Sequence, residues 1–418
     1  MLFRSTILAL CAAACTFAAP SINKRAPSGF NWGNVKVRGL NIGGWLLLEP
    51  WITPSIFENV DPDGSKGIVD EYTLTRTLGA EQAYNQYLRS HWETWCTWQD
   101  FKKIADSGFN MVRIPIGYWA YDNSDSPYAS GAAVFIDAAI DWARSVGLKI
   151  MIDLHGAPGS QNGFDNSGQK MDKPTWTQGN TVAKTLSVLK TIQSKYGDSK
   201  YDDVIAGVQL LNEPLTPALD LNVVRQFTYD GFYQQRDYSP SRVVVFHDGF
   251  QPTNYWNGML TPNDNNAQNV VVDHHEYQVF TPDLNAMSPA QHRNYVCSNA
   301  QVYNGGDKWT IVGEWSGAMT DCAKYLNGYR IGARYDGTFK DSYYIGSCNN
   351  QDMNTWSQQQ RDDTRSYIQT QLAAYEKYTQ GWIFWNFKTQ GSPEWDAFAL
   401  LDAGLFPMPG TDLASACP

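Results

Sequence analysis

The chain has 418 residues, 43 % of them hydrophobic, and a formal net charge of −10. An acidic chain without a basic run is a poor partner for nucleic acid or for an anionic membrane. Beyond the N-terminal stretch no apolar run is long enough to cross a bilayer, and no hydrophobic C-terminal tail offers a lipid anchor.

In chain order the first element is a leader. Arg4 supplies a positive start, Ile7 to Ala14 is a short apolar run, and Thr16-Phe17-Ala18 has the small residues that signal peptidase requires. Lys24-Arg25 reads as a dibasic processing site. Residues 1–25 are therefore expected to be signal peptide and propeptide, and residues 26–418 a single domain released outside the cell or into the cell wall. The leader carries Arg4, Lys24 and Arg25 and no acid, so the remainder is more acidic still. Of the seven cysteines, Cys11 and Cys15 fall in the leader; Cys96, Cys297, Cys322, Cys348 and Cys417 remain. An odd number in an oxidising compartment leaves at least one thiol free or bound to another molecule, and spacing alone does not settle the pairing. There is no Asn-x-Ser/Thr sequon, so N-glycans are not expected.

Eight short β-branched or apolar runs follow, each ending in polar residues or glycine: Val37–Gly43, Met111–Tyr118, Lys149–His155, Gly207–Asn212, Arg242–His247, Asn269–His275, Trp309–Glu314 and Gly381–Asn386. Several are almost continuously apolar, as strands covered on both faces must be. Ile136–Ser145 and Arg361–Tyr378 read as helices between them. Eight such units in one domain-sized chain predict an α/β fold, a single (β/α)8 TIM barrel with long loops at its C-terminal face. The long connections run from about Trp45 to Asn110 and from Ser316 to Gln380. A doubly wound open sheet is the alternative, but Asn41-Ile42-Gly43-Gly44-Trp45 lacks the spacing of a phosphate-binding loop.

The polar ends carry the chemistry. Arg113, Asp153, His155, Asn212-Glu213, His247-Asp248, Asp273-His274-His275, Glu314 and Trp385-Asn386 all fall where barrel enzymes place reactive groups. Glycoside cleavage needs a protonated carboxylic acid at the leaving oxygen and an ionised carboxylate at the anomeric carbon. Glu213 lies in Leu211-Asn212-Glu213-Pro214, where the proline biases it out of helix and into a turn, and Glu314 lies in Val312-Gly313-Glu314-Trp315. Aromatic residues make up 14 % of the chain, which suits sugar stacking and equally suits a large core.

On these stretches the chain resembles the fungal exo-β-1,3-glucanases of glycoside hydrolase family 5. They are Arg38-Gly39-Leu40-Asn41-Ile42-Gly43-Gly44-Trp45, Val112-Arg113-Ile114-Pro115-Ile116-Gly117-Tyr118-Trp119, the block from Asp153-Leu154-His155 to Gln161-Asn162-Gly163, Leu211-Asn212-Glu213-Pro214, and Gly313-Glu314-Trp315. The resemblance implies a retaining hydrolase acting on β-glucan polysaccharide or oligosaccharide, with Glu213 as acid/base, Glu314 as nucleophile, and transglycosylation as a possible side reaction. It implies that Arg113 holds Glu314, Asn212 binds the sugar 2-hydroxyl, His155 and His275 line the first subsite, and Tyr277 donates to the nucleophile. Glu49 then binds outer hydroxyls, Trp385 forms the floor, and Phe164 and Phe280 flank the entrance. It further implies bridges Cys297–Cys417 and Cys322–Cys348 with Cys96 free, no cofactor, and a monomer. Like charges close together predict that Glu213 holds a proton while Glu314 is ionised. Glu276, Phe387 and Trp51 depart from the histidine, tryptophan and tyrosine common in these enzymes, and are expected to alter subsites beyond the first sugar.

Three other readings stay open at this point. His155, His247, His274, His275, Asp153 and Asp273 could hold a metal, although the His-x-His pair usual on the first strand of metal-dependent barrels is missing. A wall protein could keep the sugar cleft without the chemistry. An endo-acting β-1,4-glucanase or mannanase could use the same barrel and the same glutamates, with an open groove in place of a pocket.

Overall fold

Eight parallel strands close into a barrel in sequence order, β1 to β8. They are β1 Val37–Asn41, β2 Met111–Gly117, β3 Lys149–Gly156, β4 Ile205–Gln209, β5 Val243–His247, β6 Val270–Glu276, β7 Trp309–Trp315 and β8 Gly381–Phe384. The structure is a computed structural model and describes residues 29–349, 351–411, 413 and 417; the leader expected over residues 1–25 lies outside them.

All eight expected runs form strands. Four end early: β1 stops at Asn41, short of Gly43, β2 at Gly117, short of Tyr118, β4 at Gln209, short of Asn212, and β8 at Phe384, short of Asn386. Beyond Gln209 the chain leaves the regular ladder but stays tied to its neighbours, through Leu210 N to Val245 O and Asn212 N to Leu154 O, both 2.9 Å. It must turn here because Glu213 takes a positive φ of 44° ahead of Pro214.

Strand alternation sorts the side chains. Facing the barrel axis, Met111, Met151, Val243, Val245, Val271, Ile311 and Ile383 pack into one cluster with Trp32, whose ring stacks on Trp309. Facing outward, Val112, Ile114, Ile150, Ile152, Val208, Val244, Val272 and Val312 meet the helices. Towards the C-terminal ends the inward positions become polar and carry Arg113, Asp153, Gln209, His247 and Asp273, every one of them buried.

The covering helices are α1 Trp98–Asp106, α2 Val134–Val146, α3 Thr181–Tyr196, α4 Leu221–Tyr238, α5 Pro289–Asn299, α6 Gln358–Tyr378 and α7 Ala397–Asp402. α2 shows why they sit where they do: Ile136, Ala139, Ile140 and Ala143 recur at helical spacing and are its buried face. Truncating Ile140 to alanine there costs about 2–5 kcal/mol. Both helices expected from sequence are present, as α2 and α6. The β1–β2 connection, expected as a long loop, is largely helical and holds Pro54–Val60, Glu71–Leu78, Ala80–Ala83 and Arg89–Thr94 before α1. The β5–β6 connection has no helix at all.

Candidate active site

At the C-terminal mouth of the barrel Arg113 is the hub. It is fully buried on β2 and donates to Glu314 Oε1 at 2.9 Å, Asn41 Oδ1 at 2.9 Å, Asn212 Oδ1 at 2.7 Å and Gln209 Oε1 at 2.8 Å. Asp153 Oδ2 lies 3.1 Å from the same guanidinium and Asp273 Oδ2 3.8 Å away. A planar cation with five N–H donors serves this many acceptors where a lysine ammonium could not.

Glu314 enters the site through an irregularity between β6 and β7. The register passes from His274↔Val312 to His275↔Glu314, skipping Gly313. A side chain at Gly313 would put its Cβ 2.0 Å from Asp273 Oδ1, so glycine is required for this approach. Tyr277 OH donates to Glu314 Oε2 at 3.0 Å. Opposite stands Glu213, whose Oε1 is 2.8 Å from His275 Nδ1 and whose Oε2 accepts from Asn166 Nδ2 at 2.9 Å. His275 Nδ1 is also 3.4 Å from Glu314 Oε2, and its Nε2 is 3.3 Å from Asp273. One imidazole thus touches both glutamates.

The rest of the wall assembles from other strand ends. His155 Nδ1 pairs with Asp153 at 2.6 Å, its Nε2 is 3.3 Å from Asn212 Nδ2, and its ring stacks on Trp385 at 5.5 Å. Trp385 lies so close to β1 that a Cβ on Gly43 would be 2.8 Å from the indole. Glu49 is buried and accepts from Trp51 Nε1 at 2.9 Å. Phe164 and Phe280 are 43 % and 42 % exposed, and Phe280 leans edge-on against Tyr277. Sequence reasoning missed Asn166, although it follows three residues after the Asp153–Gly163 block, and Gln209; it named His247 as a polar strand end without giving it a role in sugar cleavage.

Comparison with known proteins is decisive at this point. The family description "Cellulase (glycosyl hydrolase family 5)" matches residues 77–391. A protein of Lachancea kluyveri named glucan 1,3-beta-glucosidase is 46 % identical over 394 residues, which is 92 % of this chain and 89 % of that one. The chain belongs to glycoside hydrolase family 5. A glucan 1,3-beta-glucosidase of Schwanniomyces occidentalis is likewise 46 % identical, over 94 % of this chain and 93 % of that one. Among solved structures, rutinosidase from Aspergillus niger superposes with a TM-score of 0.71 at 21 % identity, covering 91 % of this chain and all of that one, which shows the shared fold.

Within this glycoside hydrolase the charges are distributed differently from the expectation. Burial acts to raise the pKa of Glu213, but the bond and charge of His275, with help from His247 and Asn166, pull it down to about 2. Burial raises Glu314, against His275 and Arg113. His275 is the reason: burial opposes a charge on its ring, yet Glu314, Asp273 and Glu213 hold its pKa well above the ordinary histidine range. These shifts favour charge on both His275 and Glu213 across their 2.8 Å hydrogen bond, against the expectation of a proton on Glu213. Two carboxyls considered alone could not foretell that.

The departures at 276 and 387 lie off the site. Glu276 faces outward, where its Oε2 meets His274 Nε2 at 3.3 Å and accepts from Tyr303 OH at 3.0 Å; Phe387 is fully buried against Trp95 and Phe398. Trp51 alone touches a site residue, Glu49. The six groups of the metal reading are also divided, since His274 turns outward to Asp248 and His155 is taken by Asp153. Among the described residues one cluster has ligand-type atoms together, Glu213, His247 and His275, all within 4.8 Å. Gly249 N donates to His247 Nδ1, which puts the proton on Nε2, and carboxylates face both nitrogens of His275. Neither ring offers a lone pair to an ion in this arrangement.

The bridges Cys297–Cys417 and Cys322–Cys348 form as expected, and Cys96 is free and buried. No helix among the described residues is long and apolar enough to cross a membrane.

Proposed function

We propose that this chain is a secreted, retaining exo-β-1,3-glucanase that releases glucose from non-reducing ends of β-glucan. The observation that carries the reading is the meeting of Glu213 and Glu314 on one atom, His275 Nδ1, at 2.8 and 3.4 Å. That holds the carboxyls near enough for the roughly 5 Å spacing of retaining enzymes. Glu314, oriented by Arg113 and Tyr277, attacks the anomeric carbon and forms a glycosyl ester. Glu213 protonates the leaving oxygen with the proton it shares with His275, then takes one from the incoming water. Asn212, fixed by Arg113, meets the sugar 2-hydroxyl. Glu49, His155 and Trp385 hold the terminal glucose, and Phe164 and Phe280 receive the sugars beyond it.

A clamp between two of the long loops supports exo action. The loop after β7 is clamped across the loop after β1: Lys324 and Tyr325 bond Glu58 at 2.5 and 3.0 Å, and Tyr329 OH donates to Asp61 O at 2.8 Å. The glucan 1,3-beta-glucosidase names of relatives at 46 % identity support the linkage. The two disulfides suit an oxidising compartment.

Early products from laminarin and from carboxymethyl-cellulose test the reading, with E314Q as the blank. Glucose as the sole early product from laminarin supports it; early oligosaccharides, or preference for the β-1,4 polymer, would mean an open cleft and an endo enzyme.

A further inference from the structure

Asp248, His274, Glu276 and Tyr303 form a string of polar groups outside the barrel that the proposed chemistry does not use. His274 and Glu276 point outward from β6, where their register partners on β7 are Val312 and Trp315, both in the apolar layer beneath the helices. In place of apolar packing, His274 Nδ1 meets Asp248 Oδ2 at 2.5 Å and its Nε2 lies 3.3 Å from Glu276 Oε2. Tyr303 OH, just past α5, donates to the same Glu276 oxygen at 3.0 Å. The string is shut from solvent at Asp248 and less than a fifth exposed at His274 and Glu276. With a carboxylate at each nitrogen, the ring must donate from both. Burial opposes its charge, but Asp248 first and Glu276 next raise its pKa to about 10.

Buried ion pairs seldom add net stability over apolar packing, and their best-attested use is to fix register. The place fits that use. The β6–β7 register breaks between His274 and His275, so the outward ring is the last side chain before the irregularity and the inward ring the first after it. Asp248 is itself anchored at the end of β5. Its N donates to Asp273 O at 2.9 Å, its O accepts from Trp256 Nε1 at 2.8 Å, and its Oδ1 accepts from Phe250 N at 2.9 Å.

We propose that His274, gripped by Asp248 and Glu276 outside the barrel, is a positioning residue: it holds the end of β6 so that His275 meets Glu213 and Glu314 inside. The inference rests on the reading of those glutamates as the catalytic pair. Successive side chains of a strand point to opposite faces of one backbone, so a shift of the outer ring moves the inner one. His275 has little play, with Glu213 at 2.8 Å, Asp273 at 3.3 Å and Glu314 at 3.4 Å around one imidazole.

The role is read from the split between kcat and KM on phenyl β-glucoside, and from coupling to His275. H274F removes both donors, and E276L removes the outer acceptor alone. Each is expected to lose about tenfold or more in kcat with KM within about twofold, because Glu49, His155 and Trp385 come from other elements. H274N, which keeps a donor to Asp248, and E276Q, which keeps an acceptor for His274 and Tyr303, should each recover most of the loss. H274F/H275A should be no slower than H275A, since the outer ring acts only through the inner one. Unchanged kcat in either single variant, parallel changes in kcat and KM, or additive losses in the double variant overturn the proposal. If H274F does not fold, E276L and E276L/H275A decide. E213Q and E314Q are measured alongside. If either keeps the wild-type rate, the catalytic-pair reading falls and this inference with it. If both are slow while kcat in H274F or E276L is unchanged, this inference alone fails.

Discussion

Arg113 donates to Glu314 Oε1 at 2.9 Å at the base of the site, where the two side chains are 0 % and 5 % exposed. The same guanidinium faces Asp153 and Asp273, so one buried cation touches three carboxylates, two of which also face His275. Removing it leaves those charges uncompensated in a poorly solvated space. R113M is expected to lose about 3–5 kcal/mol of stability, read from urea denaturation midpoints at pH 7. R113K should fold better yet remain at least about a hundredfold slow in kcat, since one ammonium cannot orient Glu314, Asn41, Asn212 and Gln209 together.

Small anions separate the two glutamates. In E213A, azide should restore turnover of dinitrophenyl β-glucoside and yield the β-glucosyl azide, because the anion attacks the glycosyl ester from the vacated acid/base side. In E314A, azide should instead give the α-glucosyl azide by direct displacement. Product anomers read by NMR check the assignment, and the reverse pattern would exchange the two roles.

Two carboxyls should tilt the stability curve in opposite directions. Burial raises Glu394 to about 7 from its ordinary 4.5. The folded state then binds the extra proton, so the contribution of Glu394 is full below about 4.5 and lost as the pH rises towards 7. E394Q should flatten that decline, worth at most about 3 kcal/mol, in Tm measured across the window. Glu213, at about 2 in the folded state, contributes above 4.5 and loses its contribution as the pH falls towards 2. E213Q should remove that part of the acid-side loss.

The bridge Cys322–Cys348 spans 26 residues of the loop after β7, which is clamped to the loop after β1. In the chain-entropy account a loop of that size is worth about 3 kcal/mol. C322A/C348A should therefore lower Tm. It should also raise KM for laminarin more than for an aryl glucoside, because the loop wall loses its tether. An unchanged KM ratio would separate this loop from the substrate.

Which features were legible in sequence follows from the physics of each. Buried parallel strands must be nearly all apolar and must end in polar groups, so the eight runs, Glu213 and Glu314 stood out without a structure. Arg113 stood out as a charge inside an apolar strand, and the family resemblance implied that it holds Glu314. Asn166 was not, since a loop asparagine in a polar stretch looks like any other until the β3 loop folds back on Glu213. The helical filling of the β1–β2 connection was hidden for a similar reason: its pieces are short, and neighbours decide them more than propensity does.

The sequence by itself determined the barrel, the order of its strands and the two glutamates, because strand periodicity and the requirement to pair buried charges act locally along the chain. Only the tertiary structure decided which charges meet. Arg113 comes from β2, Asp273 and His275 from β6, Glu314 from β7 and Glu213 from the turn after β4, and at 2.8 to 3.8 Å their charges act as one coupled set. Coulomb energy depends on distance through space, which separation along the chain does not reveal.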